Sequence, residues 1–213
     1  EAVGVSLDEA MLAGLAPDGG LYWPTLIPPL PSGWEGARSP AALARAVLPP
    51  YMGEEAAAAV AAGLDFPWPV TRLSESDFVL ELFHGPTAAF KDVGARALAR
   101  AMELALERRD ERVTVLAATS GDTGSAVADA FAGLERVRVA VLYPAGGVSP
   151  VQEEQLTAAR DGVRAFAVAG TFDDCQRLVK GAFADQGLGA LGLTSANSIN
   201  VGRLLPQLLY YLW

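Results

Sequence analysis

Residues 112–133 read "RVTVLAATSGDTGSAVADAFAG", and this stretch decides the fold. An apolar run, Val113–Ala118, reads as a buried strand. It meets the turn "TSGDTG" and passes directly into a helical pattern that Gly133 ends. The same rhythm continues downstream. "RVRVAVLYP" is a second strand. "SPVQEEQLTAAR" is a helix capped by Ser149 with Pro150 at its first position. "VRAFAVAG" is a strand, "TFDDCQRLVKGAFADQG" a helix capped by Thr171, "GLTSANS" a strand end, and "SINVGRLLPQLLYYLW" a closing helix. Upstream, "FVLELF" reads as the strand that leads into the helix starting near Lys91. This alternation predicts an α/β protein with a largely parallel sheet and helices on both faces. Ligands in such sheets bind where strands give way to helices.

Residues 1–78 are mixed. "SLDEAMLAGLA" predicts a short helix capped by Ser6, and "PAALARAVLPPYMGEEAAAAVAAGL" predicts two helices separated by Pro49 and Pro50. The expected organisation is an N-terminal mixed helical segment, 1–78, and a βα-repeating cofactor and substrate domain, 79–213. The 213 residues are 51% hydrophobic with a net charge of −9, which argues against nucleic acid and anionic membrane surfaces as partners. No apolar run spans a bilayer, and "EAVGVSLDEA" lacks the basic start of a secretory signal. The single Cys175 fits a reducing compartment, and one His with one Cys does not supply a zinc ligand set.

Several loops carry candidate chemistry. In "TSGDTG", Gly121 and Gly124 let a backbone approach a ligand, Ser120 and Thr123 add hydroxyls, and a helix N-terminus favours an anion. Asp122 is out of place in an anion cradle unless its partner is a cation or a shared proton. The alternative is an ordinary helix cap. Lys91 opens a helix, the end where lysine is disfavoured. A lysine amine is a nucleophile only when neutral, and a dry pocket with positive potential favours that form. The alternative is a solvated lysine, or one paired with Asp92. His84, the only histidine, is either an acid/base group, a phosphate ligand or a structural residue. Asn197, Ser198, Asn200 and Arg203 crowd one turn, where they either clamp an anion or cap the helix. "QGLGALG" matches a dinucleotide fingerprint literally but lies between helix and strand in the reverse order, so it reads as a loop.

Taken in order, "GLAPDGGLY", "FHGPTAAFKD", "TSGDTGSA", "LYPAGGVSPVQEEQ", "FDDCQRLVK" and "LTSANSINVGRLLPQ" resemble threonine synthases, pyridoxal-phosphate enzymes of fold type II. The resemblance implies conversion of O-phospho-L-homoserine and water to L-threonine and phosphate, in the cytoplasm. It implies that Lys91 holds pyridoxal 5'-phosphate as a Schiff base and shuttles protons, with Phe90 near the cofactor ring and Asp122 near its phenolic oxygen. Ser120, Gly121, Thr123 and Gly124 would receive the substrate carboxylate. Asn197, Ser198, Asn200 and Arg203 would help bind its phosphate, and His84 belongs to the motif. The family's cofactor-phosphate loop comes after the "LLPQ..YY" helix. The sequence therefore reads as roughly the N-terminal half, expected to bind cofactor weakly alone and to need a complementing C-terminal half or self-association. The alternatives are an inactive fragment and a related serine or threonine dehydratase.

Overall fold

The computed structural model describes residues 4–213, so the first three residues of the N-terminal stretch lie outside the described residues. Helix α1, Leu7–Ala13, starts at a reciprocal cap: Ser6 Oγ accepts from the Glu9 N–H, and the Glu9 carboxylate accepts from the Ser6 N–H at 2.8 Å. Helix α2, Pro40–Val47, is capped by Ser39. Helix α3, Pro49–Gly63, follows one residue later and breaks at Gly53, whose φ of +80° no helical residue adopts. The proline pair thus opens α3, and a second interruption falls at the glycine.

Strands β1, Val70–Arg72, and β2, Phe78–Leu80, form a separate antiparallel hairpin. This corrects the reading of "FVLELF" as part of the βα rhythm. The intervening turn decides the pairing: Leu73 N–H donates to Asp77 O at 2.9 Å, and Ser74 Oγ accepts from the Asp77 N–H at 3.1 Å. Local turn chemistry folds the strand back on its neighbour.

Helix α4, Lys91–Arg109, is followed by β3 Val113–Ala118, α5 Asp122–Ala130, β4 Val137–Pro144, α6 Pro150–Thr157, β5 Val163–Val168, α7 Phe172–Ala184 and β6 Leu193–Thr194. The sheet is parallel in the order β5-β4-β3-β6, with Val115 opposite Val139 and Val139 opposite Val163. Alternation sorts the strand residues. Val115, Val139 and Val141 enter a core with Leu98 and Met102 of α4 and Val127 of α5. That core continues into Leu43, Val47 and Val60 of α2 and α3. Leu116 and Ala118 face the other way, onto Cys175 and Val179 of α7. "QGLGALG" is a 3-10 segment over Gln186–Leu191.

The expected closing helix is broken. It runs as α8 Val201–Leu204, a 3-10 turn Leu205–Gln207, and α9 Leu208–Leu212. Pro206 has no N–H to donate, and the tighter turn absorbs its ring.

Candidate active site

The end of β3 and the starts of α4 and α5 bring the first set of candidate residues together. Thr119 is buried, and its Oγ1 uses its full capacity inside the turn. It accepts from the N–H groups of Gly121 at 3.1 Å and Gly124 at 2.9 Å, and donates to Gly121 O at 2.9 Å. Both glycines are needed for internal approach. A Cβ on Gly124 would lie 2.4 Å from Thr119 Cγ2, and one on Gly121, whose φ is +151°, would lie 2.4 Å from Gln152 Nε2. Ser120 is exposed, and Thr123 is half-buried in the first turn of α5.

Asp122 opens α5, where the helix dipole favours a carboxylate. Its Oδ1 accepts from Gln152 Nε2 at 2.8 Å, and its Oδ2 lies 3.4 Å from Lys91 Nζ. The Gln152 hydrogen bond, aided by the Lys91 charge and opposed by partial burial, holds this carboxyl below the usual aspartate range. Lys91 Nζ also sits 4.5 Å from the centroid of the half-exposed Phe90 ring. The side chains of Lys91 and Asp122 are 26% and 47% exposed. The dry, uniformly positive pocket expected around Lys91 is therefore not what the chain builds. The N-termini of α4 and α5 converge, and the carboxylate at the start of one helix meets the amine at the start of the other.

Asp92 is not the partner of Lys91. It is buried, accepting from Thr87 N–H at 2.9 Å and Thr87 Oγ1 at 2.6 Å. Burial pushes its carboxyl up, against the Thr87 hydrogen bonds that pull it down. The loop closes tightly here: a Cβ on Gly85 would lie 2.5 Å from Asp92 Oδ2. Ala88 takes a left-handed φ of +55°, an unusual conformation for a residue with a Cβ, three positions before Lys91. His84 makes its polar contact with Glu81, at 2.7 Å, and stacks on Phe83.

The second candidate group divides. Asn200 is fully buried and paired within the chain: Nδ2 donates to Met11 O and Ser195 O, both at 2.8 Å, and Oδ1 accepts from Gly202 N–H at 2.9 Å. Arg203 does reach back to the turn, as its spacing implied, but to a backbone carbonyl, Ala196 O, at 2.7 Å. It is 5% exposed, and burial pushes its guanidinium down to about 10. Asn197 is half-buried with Oδ1 unpartnered, and Ser198 is exposed. Sequence reasoning missed Gln152, Thr119 and Thr87. Only Gln152 left a signal, as the third residue after the Ser149 cap.

Residues 68–203 match the family model described as pyridoxal-phosphate dependent enzyme. The chain belongs to that family. Residues 1–62 match a second model, the threonine synthase N terminus. The threonine synthase of Haemophilus influenzae is 45% identical over 97% of this chain and 50% of that protein. The one from Escherichia coli K12 is 52% identical over 71% of this chain and 35% of its own length. Among solved structures, the PLP-bound threonine synthase of Brucella melitensis superposes with a TM-score of 0.91 at 43% identity, over 100% of this chain and 49% of that one. The yeast threonine synthase gives 0.86 at 34% identity, over 100% of this chain and 47% of that one. The fold is thus that of these enzymes, and the chain spans about half the length of these full-length relatives.

Proposed function

We propose that this chain forms the N-terminal part of an enzyme converting O-phospho-L-homoserine and water to L-threonine and phosphate, with pyridoxal phosphate held on Lys91. The carrying observation is the Lys91 amine, 3.4 Å from Asp122 Oδ2 and 4.5 Å from the centroid of the half-exposed Phe90 ring, at two converging helix starts. These residues fit the cofactor's chemistry: a primary amine to condense with an aldehyde, an aromatic plate beside it, and a carboxylate able to share a proton near a phenolic oxygen. When bound, pyridoxal phosphate supplies the electron sink for carbanion chemistry.

The chain's own residues take the remaining roles. Lys91 Nζ takes and returns protons at the substrate carbons. Ser120 and Thr123 offer hydroxyls to a carboxylate at the start of α5, and Gly121 and Gly124 shape that turn around Thr119. Asn197 and Ser198 present polar atoms to the substrate phosphate, while Asn200 and Arg203 serve it through the backbone they brace. His84 orders the approach to the Lys91 loop with Glu81. Among the described residues no helix is long and apolar enough to cross a membrane. We place the reaction in the cytoplasm, with the remainder of the site supplied by a complementing C-terminal half.

The sequence contains two lysines, Lys91 and the exposed Lys180 of α7, which gives the test an internal control. Borohydride reduction of the chain with pyridoxal phosphate, followed by peptide mass mapping, is expected to place the adduct on Lys91 and to lose it in Lys91→Ala. Labelling spread equally over Lys91 and Lys180 would overturn the site. With the C-terminal half added, O-phosphohomoserine should yield threonine and phosphate. Turnover of threonine to a 2-oxo acid instead would favour a dehydratase.

A further inference from the structure

We infer that Gln152 is the positioning residue of this site, its side-chain amide fixing the Asp122 carboxylate in the orientation that faces the Lys91 amine. The inference deepens the function proposed above and rests on it for its catalytic meaning, but its geometry stands by itself. The Gln152 amide is held at both ends. Its Oε1 accepts from the Ser149 N–H at 3.0 Å in the reciprocal cap of α6, and its Nε2 donates to Asp122 Oδ1 at 2.8 Å. The cap thereby defines which side of the amide points at Asp122, and Asp122 Oδ2 is left for Lys91 Nζ.

The neighbouring backbone is shaped to admit this amide. Any side chain at Gly121 would occupy the place of Gln152 Nε2, so the glycine that precedes Asp122 and the glutamine of α6 fit one another. The helix that follows β4 is in this way tied to the turn that follows β3, 30 residues away in sequence. The donated hydrogen bond is also the main influence lowering the Asp122 carboxyl.

Gln152→Glu separates this role from helix capping. Glutamate at the third helical position still accepts from the cap N–H, so α6 keeps its cap. It has no N–H to give Asp122 and sets a second carboxylate against it. Ser149→Ala is the converse: it removes the serine's own hydrogen bond to the Gln152 N–H and leaves the Gln152–Asp122 bond in place. The first readout needs no cofactor. Carboxyl carbon NMR of Asp122 is expected to show its titration moving up by at least half a pH unit in Gln152→Glu and staying unmoved in Ser149→Ala. The second is the rate of borohydride-trapped labelling at Lys91 as a function of pH, expected to change its profile in Gln152→Glu only, with thermal stability lowered mainly in Ser149→Ala. If wild type labels Lys91 and Gln152→Glu shifts neither the Asp122 titration nor the labelling profile, the positioning role is refuted while the parent function stands. If wild type does not label Lys91 even with the C-terminal half added, the parent function fails and the Asp122 titration still decides the positioning role: no shift in Gln152→Glu refutes it.

Discussion

Asn200 offers a sharp test, because its side chain either meets ligand or holds the fold, and the two roles differ in what truncation costs. Asn200→Ala removes three hydrogen bonds at a fully buried position, leaving Met11 O, Ser195 O and the Gly202 N–H without that partner. Each stranded buried group costs about 1–3 kcal/mol. Water entering the space left behind offsets part of this, so the lower end of the sum, about 3 kcal/mol, is the expected loss. For a chain of this size each kcal/mol moves Tm by roughly 2–4 °C, giving a fall of roughly 6–12 °C. The assay is urea unfolding, with a lowered midpoint at unchanged m-value. Asn197→Ala is the control: its Oδ1 has no protein partner, so its removal should change stability by less than about 0.5 kcal/mol. Asn200→Asp adds a sign. Its carboxylate would face two carbonyl oxygens, which raises the folded pKa above the unfolded value near ~3.9, so the native state binds the proton more tightly. The variant should therefore be least stable at neutral pH and recover as pH falls toward that value. A loss below about 1 kcal/mol for Asn200→Ala, or one equal to that of Asn197→Ala, would refute the bracing role.

Gly124→Ala would place a methyl 2.4 Å from Thr119 Cγ2 and 2.9 Å from Leu156 Cδ2. Overpacking of that kind costs about 1–3 kcal/mol, and unchanged unfolding would show that the turn yields freely. Asp92, its carboxyl raised by burial, lets the native state hold a proton that the unfolded chain has already lost. Stability should thus decline as pH climbs from the unfolded aspartate value near ~3.9 through the raised native one, and Asp92→Asn should flatten that decline. Parallel pH–stability curves for the two proteins would remove Asp92 as its source.

The βα alternation after residue 112 was legible because β3 and β4 are largely buried runs at the centre of a parallel sheet and β5 continues the pattern at its edge, bounded by caps that name themselves: Ser149, Thr171 and the glycines of the turn. The hairpin of β1 and β2 was not, because "FVLELF" carries the same residues as a sheet strand and only the turn at 73–77 reveals its partner. At the site, the presence of Lys91 and Asp122 was legible and their pairing was not. Asp92 is the nearer acid in sequence, yet successive residues of a helix point about 100° apart, and α4 turns Asp92 inward as Lys91 faces out. Asn200 was ambiguous for a different reason. A buried amide needs partners whether ligand or backbone supplies them, and here one partner, Met11, lies 189 residues away.

The carboxyls of Asp92 and Asp122 are pushed in opposite directions, and this division suits the role proposed for Lys91. Asp92, driven up by burial, closes the "HGPT" loop through Thr87, and its removal would loosen the backbone that carries Lys91. Asp122, held down chiefly by Gln152, faces the amine across 3.4 Å at a half-exposed position. Ion pairs in such positions contribute about 0.2–1 kcal/mol. The amine can therefore leave Asp122 at small cost while Gln152 keeps the carboxylate in place. The structural acid and the counter-ion of the Lys91 amine are different residues, so exchanging the partner of the amine does not disturb the loop that presents it.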